Sequence, residues 1–222
     1  MDESVGVDGW KRGWIAIVLQ AGAFERAISA ETLLEIAQST PDGSVLGVDM
    51  PIGFPTRGAR EADLAARAVL GGRRSSIFMV PPRPILEAPT YESARRVAAR
   101  IWDQGVSAQS FALRKKVLEV NDSDLGGRLL IEVHPEVCFR MIAGQPLPHS
   151  KKTWNGQQHR RHLLESVGIA IPQLLPGAAG EVPGDEVLDA AVVAWTADRF
   201  RRGVARFLPA TADPEAVPTI WY

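Results

Sequence analysis

Cysteine is nearly missing from this chain: Cys138 is the single one among 222 residues. One thiol cannot close an intramolecular disulfide or build a CxxC metal site, so a disulfide scaffold is excluded and any metal would sit on oxygen or imidazole. An excess of charge of either sign is missing too. The 25 Lys and Arg nearly balance the 26 Asp and Glu, leaving a formal net charge of −1, which excludes a polybasic nucleic-acid binder of the histone kind and leaves only local basic patches. No apolar run approaches the roughly 18 residues that a membrane span requires; the longest, Ala190 to Ala194, lies in a segment that also holds Asp189 and Asp198. The start of the chain shows no basic segment followed by an apolar stretch and a cleavage site. These absences together set the expectation of a soluble, cytoplasmic protein with no membrane partner. Solenoid repeats and low-complexity blocks are absent as well, the 16 prolines and 20 glycines being scattered as loop punctuation.

What is present is enough to fold. With 45% hydrophobic residues and a length that buries about 70% of the unfolded surface, the chain can build a core without staples. At about 150 residues per domain it reads as one domain, residues 1–222, with a substantial helical insertion at about 71–125. Ser4 to Asp8 and Trp14 to Leu19 are β-rich runs separated by Gly9-Trp10-Lys11-Arg12-Gly13, whose glycines can supply a hairpin turn. A third strand is expected at Phe24 to Ile28, and Ser29 offers an N-cap for a helix through Leu33 and Ile36. Ser44 to Asp49 is apolar without alternation, as in a strand covered on both faces. Helices are expected at 60–70, 90–103, 107–120, 155–167 and 185–202, and a strand at 128–133 with Pro135 set to open a helix. The last residues, 218–222, read as a terminal strand or arm. This order of elements is that of an α/β layer protein with a mixed sheet.

Carboxylates sit where apolar strands end, and there an ionised group is costly unless it is paired or bound to a cation. Asp8 follows Val5-Gly6-Val7, Asp49 follows Val45-Leu46-Gly47-Val48, and Glu132 lies within Leu129-Leu130-Ile131-Glu132-Val133. Asp185 and Asp189 are four apart and share one face of the last helix. Each has an ordinary alternative. Asp8-Gly9 is a turn dipeptide, Asp49 can cap the loop after it, Glu132 can face solvent from an edge strand, and Asp185 is a good helix N-cap. Asp189 is the hardest to explain away, because its neighbours from Val187 to Val193 are almost all apolar. If the strands ending at Asp8 and Asp49 lie side by side, and Glu132 and the helix pair approach the same sheet edge, the five acids form one hard-oxygen cluster. Such a cluster suits Mg²⁺ or Mn²⁺, and two ions about 4 Å apart would serve phosphodiester chemistry.

The ordered set Gly6-Val7-Asp8-Gly9, Gly13-Trp14, Val48-Asp49-Met50-Pro51-Ile52-Gly53, Arg60 to Arg67, Arg73 to Phe78, Glu132-Val133-His134-Pro135-Glu136 and Asp185-Glu186-Val187-Leu188-Asp189-Ala190 resembles the domain-of-unknown-function 429 family. That family is described as predicted nucleases of the ribonuclease H-like superfamily. The resemblance runs from about residue 4 to residue 200, each motif weak alone and the ordered set specific. It implies a ribonuclease H-like mixed five-stranded sheet, strands 1–3 antiparallel and strands 4 and 5 parallel to the first, flanked by helices. It also implies metal-holding acids on the first strand (Asp8), a later strand (Asp49 or Glu132) and the last helix (Asp189, with Asp185).

Basic groups fit a phosphate-bearing ligand. Arg73, Ser75 and Ser76 beside Gly71-Gly72 are candidates for binding phosphate. Lys151 and Lys152, followed by His159, Arg160, Arg161 and His162, make a second basic stretch with Trp154 as a base-stacking surface; charge runs of this kind are also commonly solvated faces. The leading expectation is a divalent-metal-dependent nuclease or phosphodiesterase acting on nucleic acid or a small phosphate ester. Its rivals are a Mg-nucleotide-binding phosphotransferase or ATPase, and a non-catalytic nucleic-acid or protein-binding module on the same fold. A homodimer is compatible with the sequence. A dinucleotide-binding dehydrogenase is disfavoured, since no GxGxxG opens a helix.

Overall fold

Alternating β-branched and large apolar residues open the chain as paired strands. In the computed structural model, which describes residues 3–222, β1 (Glu3–Trp10) and β2 (Gly13–Gln20) form a hairpin closed by Lys11 and Arg12. The hairpin is tighter than the glycine spacing implies. Asp8 and Gly9 lie inside β1, opposite Ile15 and Trp14, so the turn-dipeptide alternative for Asp8 does not hold. β3 (Ala23–Ala30) follows, and Ser29 belongs to it, paired with Ile15. The cap of α1 (Leu33–Gln38) is therefore Thr32 rather than Ser29, in a reciprocal capping box with Glu35.

After β4 (Val45–Val48) come α2 (Glu61–Leu70), a 3-10 helix at Gly71–Ser76, α3 (Arg83–Leu86), α4 (Tyr91–Ile101), α5 (Ala108–Ala112) and α6 (Arg114–Asp122). The single helix expected at 107–120 is thus two. Leu113 interrupts it, its N–H shared between the Gln109 and Phe111 carbonyls in a tightened turn. The chain continues through β5 (Leu129–Glu132), α7 (Pro135–Ala143) with Pro135 in its first turn, α8 (Trp154–Ser166), α9 (Gly184–Arg201), and the short strands β6 (Phe207–Leu208) and β7 (Ile220–Trp221). Among the described residues no helix is long and apolar enough to cross a membrane.

The chain divides into two units. The first comprises the residues up to Met50, Ser123–Arg206 and Trp221–Tyr222. It contains a mixed five-stranded sheet in the order β3-β2-β1-β4-β5, antiparallel across β1, β2 and β3 and parallel across β1, β4 and β5. This is the ribonuclease H-like architecture, with helical insertions. The second unit comprises Pro51–Asp122 and Phe207–Ile220. One cluster there packs Ile85, Ala94, Ala98, Trp102 and Phe111, and a buried Arg60–Asp63 pair fixes the start of α2 while Asp63 also accepts from Val80 N.

Strand register decides what the first sheet presents to α9. Gly6, Asp8, Ile15, Ile17, Gly47 and Ile131 share one face, and α9 covers it. A Cβ on Gly6 would overlap the Ala194 nitrogen and the Ala190 carbonyl of α9, and one on Gly47 would meet Val193 Cγ1 at 2.8 Å. The two glycines let the helix lie directly on the strands, two residues before Asp8 and Asp49 respectively. α9 is apolar almost all round because it is buried almost all round, Val187 to Ala194 being buried without exception.

Candidate functional site

Parallel strands that end side by side deliver their next residues to one edge. Val7 pairs with Val48, Val48 pairs with Glu132, and the ladder runs on through Asp49 N to Val7 O at 2.9 Å. Asp8 and Asp49 thus follow adjacent strand positions on the α9 face. Glu132 is buried, which removes the solvent-facing alternative, but it alternates with Val48 onto the opposite face. Its charge still reaches Asp49, whose carboxyl it helps to raise.

α9 supplies the other half. Asp185 and Glu186 lie in its first turn, where the helix dipole favours negative charge, and Asp189 is one turn on. The helix begins at Gly184 after Pro183, so Asp185 lies inside the helix instead of capping it. One oxygen each from Asp8, Glu186 and Asp189 lies within 4.8 Å of the others. Asp8 and Asp189 are 3% and 1% exposed. Asp8 Oδ1 accepts from Gly9 N at 2.6 Å, whereas Asp8 Oδ2 and Asp189 Oδ1 are buried and have no hydrogen-bond partner among the described residues.

Burial first, and then the neighbouring acids Asp49, Asp189 and Glu186, hold the Asp8 carboxyl well above the usual carboxylate range. Burial likewise pushes Asp49 to about 7, with Lys151 opposing and Glu186, Glu132 and Glu136 adding. Asp189 rises to about 7 for the same leading reason, again opposed by Lys151. Three carboxyls raised in this way form a site short of positive charge.

Two lysines meet part of that demand. Lys151 Nζ binds Asp189 Oδ2 and lies 3.8 Å from Glu186 and 3.9 Å from Asp185. Lys152 Nζ lies 2.5 Å from Asp185 and 3.4 Å from Glu186. Desolvation opposes the Lys151 charge, but Asp189, Asp8 and Asp49 outweigh it and raise its pKa. The segment that carries both is anchored. Thr153 Oγ1 accepts from Gly156 N at 3.1 Å and donates to Ser150 O at 2.8 Å, and Gly156 is so close to the Ser150 carbonyl that no side chain would fit. Arg160, fully buried, binds Glu136 of α7 and the carbonyls of His149 and Gly156. The basic stretch at 159–162 is therefore only partly a solvated face: His162 is exposed, and Arg160 is a strut.

The sequence groups Asp8, Asp49, Glu132, Asp185 and Asp189. Asp8 and Asp189 converge with Glu186, Asp49 feels the charge of Glu186, Asp185 pairs with Lys152, and Glu132 alternates onto the opposite face. Glu186 was missed, although its i,i+3 spacing to Asp189 carried the signal. Lys151 and Lys152 lie among the acids. Arg73, Ser75 and Ser76 belong to the second unit, where Gly71–Ser76 is a 3-10 helix and not an open loop, with Ser76 Oγ donating to Arg73 O at 2.9 Å. Trp154 begins α8 and is 74% exposed.

The donor set suits a hard divalent cation. Three carboxylates converge, two buried oxygens lack a hydrogen-bond partner among the described residues, and neither sulfur nor imidazole belongs to the group. Sheet order and acid cluster together define a ribonuclease H-like protein with a potential metal-binding site. The family described as Protein of unknown function (DUF429) matches residues 6–214, and the chain belongs to that family. No curated protein and no solved structure matches it.

Proposed function

We propose that this protein is a divalent-metal-dependent phosphodiesterase acting on nucleic acid or a nucleotide. The observation that carries the reading is the convergence of Asp8, Glu186 and Asp189 within 4.8 Å, with buried, unbonded acceptor oxygens, at the edge where the parallel strands β1 and β4 end. Asp8, Glu186 and Asp189 would hold Mg²⁺ or Mn²⁺, with Asp49 as the further acid of the site. The ion, when bound, supplies Lewis acidity to a phosphoryl oxygen and lowers the pKa of a water. Asp185 orients the lysines, and Glu132 tunes Asp49 from the other face. Lys152, 63% exposed by its side chain, would meet a substrate phosphate by exchanging its contact with Asp185 for it. Arg73, Ser75 and Ser76, within the second unit, would bind phosphate there.

On this reading the chain is one ribonuclease H-like domain whose helical insertion spans about 71–125. A reducing compartment such as the cytoplasm suits its one thiol, since Cys138 is buried, with its pKa pushed up to about 12 by that burial.

Cleavage of single- and double-stranded DNA, RNA and bis(4-nitrophenyl) phosphate with Mn²⁺ tests the proposal. Activity should be abolished by EDTA and fall at least ~100-fold in Asp189→Asn, about 2.7 kcal/mol of transition-state stabilisation. Cleavage that ignores both EDTA and this substitution would overturn it. Nucleic-acid binding without cleavage and unchanged by EDTA would favour the binding module.

A further inference from the structure

Lys151 is not a surface lysine that happens to meet an acid. Its side chain is only 29% exposed. Its backbone belongs to a segment fixed at three points, by the Thr153 cap, by the Gly156–Ser150 approach and by Arg160 on the His149 carbonyl. Its ammonium has three carboxylates within 4 Å.

Asp189 is divided between two uses. Oδ2 binds Lys151, while Oδ1, buried, has no hydrogen-bond partner among the described residues, and the same holds for Asp8 Oδ2. The cluster therefore has a side taken by ammonium and a side with open acceptors. Two divalent ions in a shared carboxylate site stand roughly 4 Å apart and use a bridging carboxylate. Asp189 has the placement of such a bridge, and one of its oxygens already carries a fixed positive charge. A second divalent ion on that oxygen would have to displace Lys151 from an anchored loop or bear its repulsion at contact distance.

We infer that Lys151 is a built-in cation of the acid cluster, so that the site takes one divalent ion beside the ammonium rather than two. The inference rests on the metal-site reading given above and concerns the number of ions, which metal binding reports without any need for turnover.

The test is Mn²⁺ titration calorimetry at pH 7.5, with the electron paramagnetic resonance spectrum of bound Mn²⁺, on the wild type, Lys151→Met and the charge-preserving Lys151→Arg, each checked for folding by circular dichroism. Lys151→Gln replaces the methionine variant if that one does not fold. Wild type and Lys151→Arg should bind one ion with an uncoupled six-line spectrum. The neutral variant should take up a second, spin-coupled ion or bind the first at least tenfold more tightly. Two ions in the wild type, or a neutral variant with unchanged stoichiometry and affinity, would overturn the inference and leave the metal site standing. Mn²⁺ binding by none of the proteins would overturn the metal-site reading, and this inference with it.

Discussion

Burial is the largest cause that raises the Asp8 carboxyl, ahead of the acids around it. A carboxyl raised in the folded state binds protons more tightly there than in the unfolded chain, where its pKa lies near 3.8. The stability it lends is full below that value and is lost as pH rises through the folded pKa, which is about 7 for Asp49 and Asp189. The metal-free protein should therefore melt at a lower temperature at pH 8 than at pH 5, and Mn²⁺ should reverse the loss at pH 8 by mass action on the folded state. Asp8→Asn removes one buried charge and leaves an amide that can donate to Glu186 and Asp189. It should flatten that pH dependence and stabilise the metal-free protein at pH 8, while abolishing the Mn²⁺-induced rise. Thermal unfolding across pH with and without Mn²⁺ checks both parts; an Asp8→Asn protein less stable than wild type at pH 8 would refute the charge argument. At this scale the sequence showed Asp8, Asp49, Asp185 and Asp189 because each carboxylate interrupts or follows apolar residues. It hid Glu186, which looks like one more acid in a helix's first turn, and it hid the destination of Lys151, because a lysine in a basic stretch carries no mark of which loop turns inward.

The β1 strand and α9 meet through Gly6, and the position of Asp8 against Glu186 and Asp189 depends on that contact. Gly6→Ala would put a methyl into the α9 backbone at Ala190 and Ala194, where no side chain can rotate aside. The expected cost is about 3 kcal/mol or more, at the upper end of overpacking penalties, read as a lower denaturation midpoint and weaker Mn²⁺ binding. An unchanged midpoint would mean that the helix does not lie on the strand at this point. Arg160→Met acts on a different element. It strips Glu136 of its buried partner and removes the side-chain bond to the His149 carbonyl, so stability should fall by about 3–5 kcal/mol and amide exchange at Lys151–Thr153 should accelerate. Most elements were legible because their period, caps and prolines agreed: the early hairpin, the covered strand at Val45–Val48, Pro135 at a helix start and the buried last helix. Boundaries failed where two signals competed. Ser29 has cap chemistry, but the ladder to Ile15 claimed it and passed the cap to Thr32. The 107–120 pattern has one helical period, yet Leu113 tightens the turn and splits it.

Charge, nearly balanced over the whole molecule, is uneven along it. Pro51–Asp122 holds twelve Arg and Lys against seven Asp and Glu, in a chain of 25 against 26. The acid cluster lies entirely in the other unit, and the excess of positive charge lies on the helical segment. A polyanion approaching such a molecule is attracted to the helices and repelled by the acids until a cation occupies them. Arg95, Arg100 and Lys115 are exposed on α4 and α6 and are the groups through which that attraction would act. Binding of a nucleic acid should then fall steeply with salt, with a slope of about −0.9 for each phosphate neutralised on duplex DNA. Arg95→Glu, Arg100→Glu and Lys115→Glu together should weaken binding at low salt and make the slope shallower by about 2 to 3, while leaving Mn²⁺ affinity unchanged because the ion's ligands lie elsewhere. Fluorescence anisotropy of a labelled duplex over a salt series, beside Mn²⁺ calorimetry on the same proteins, measures both. A slope unchanged by the triple substitution would move the nucleic-acid contact away from the helical unit, and a binding constant indifferent to salt would point instead to a small phosphate ester held at the acids.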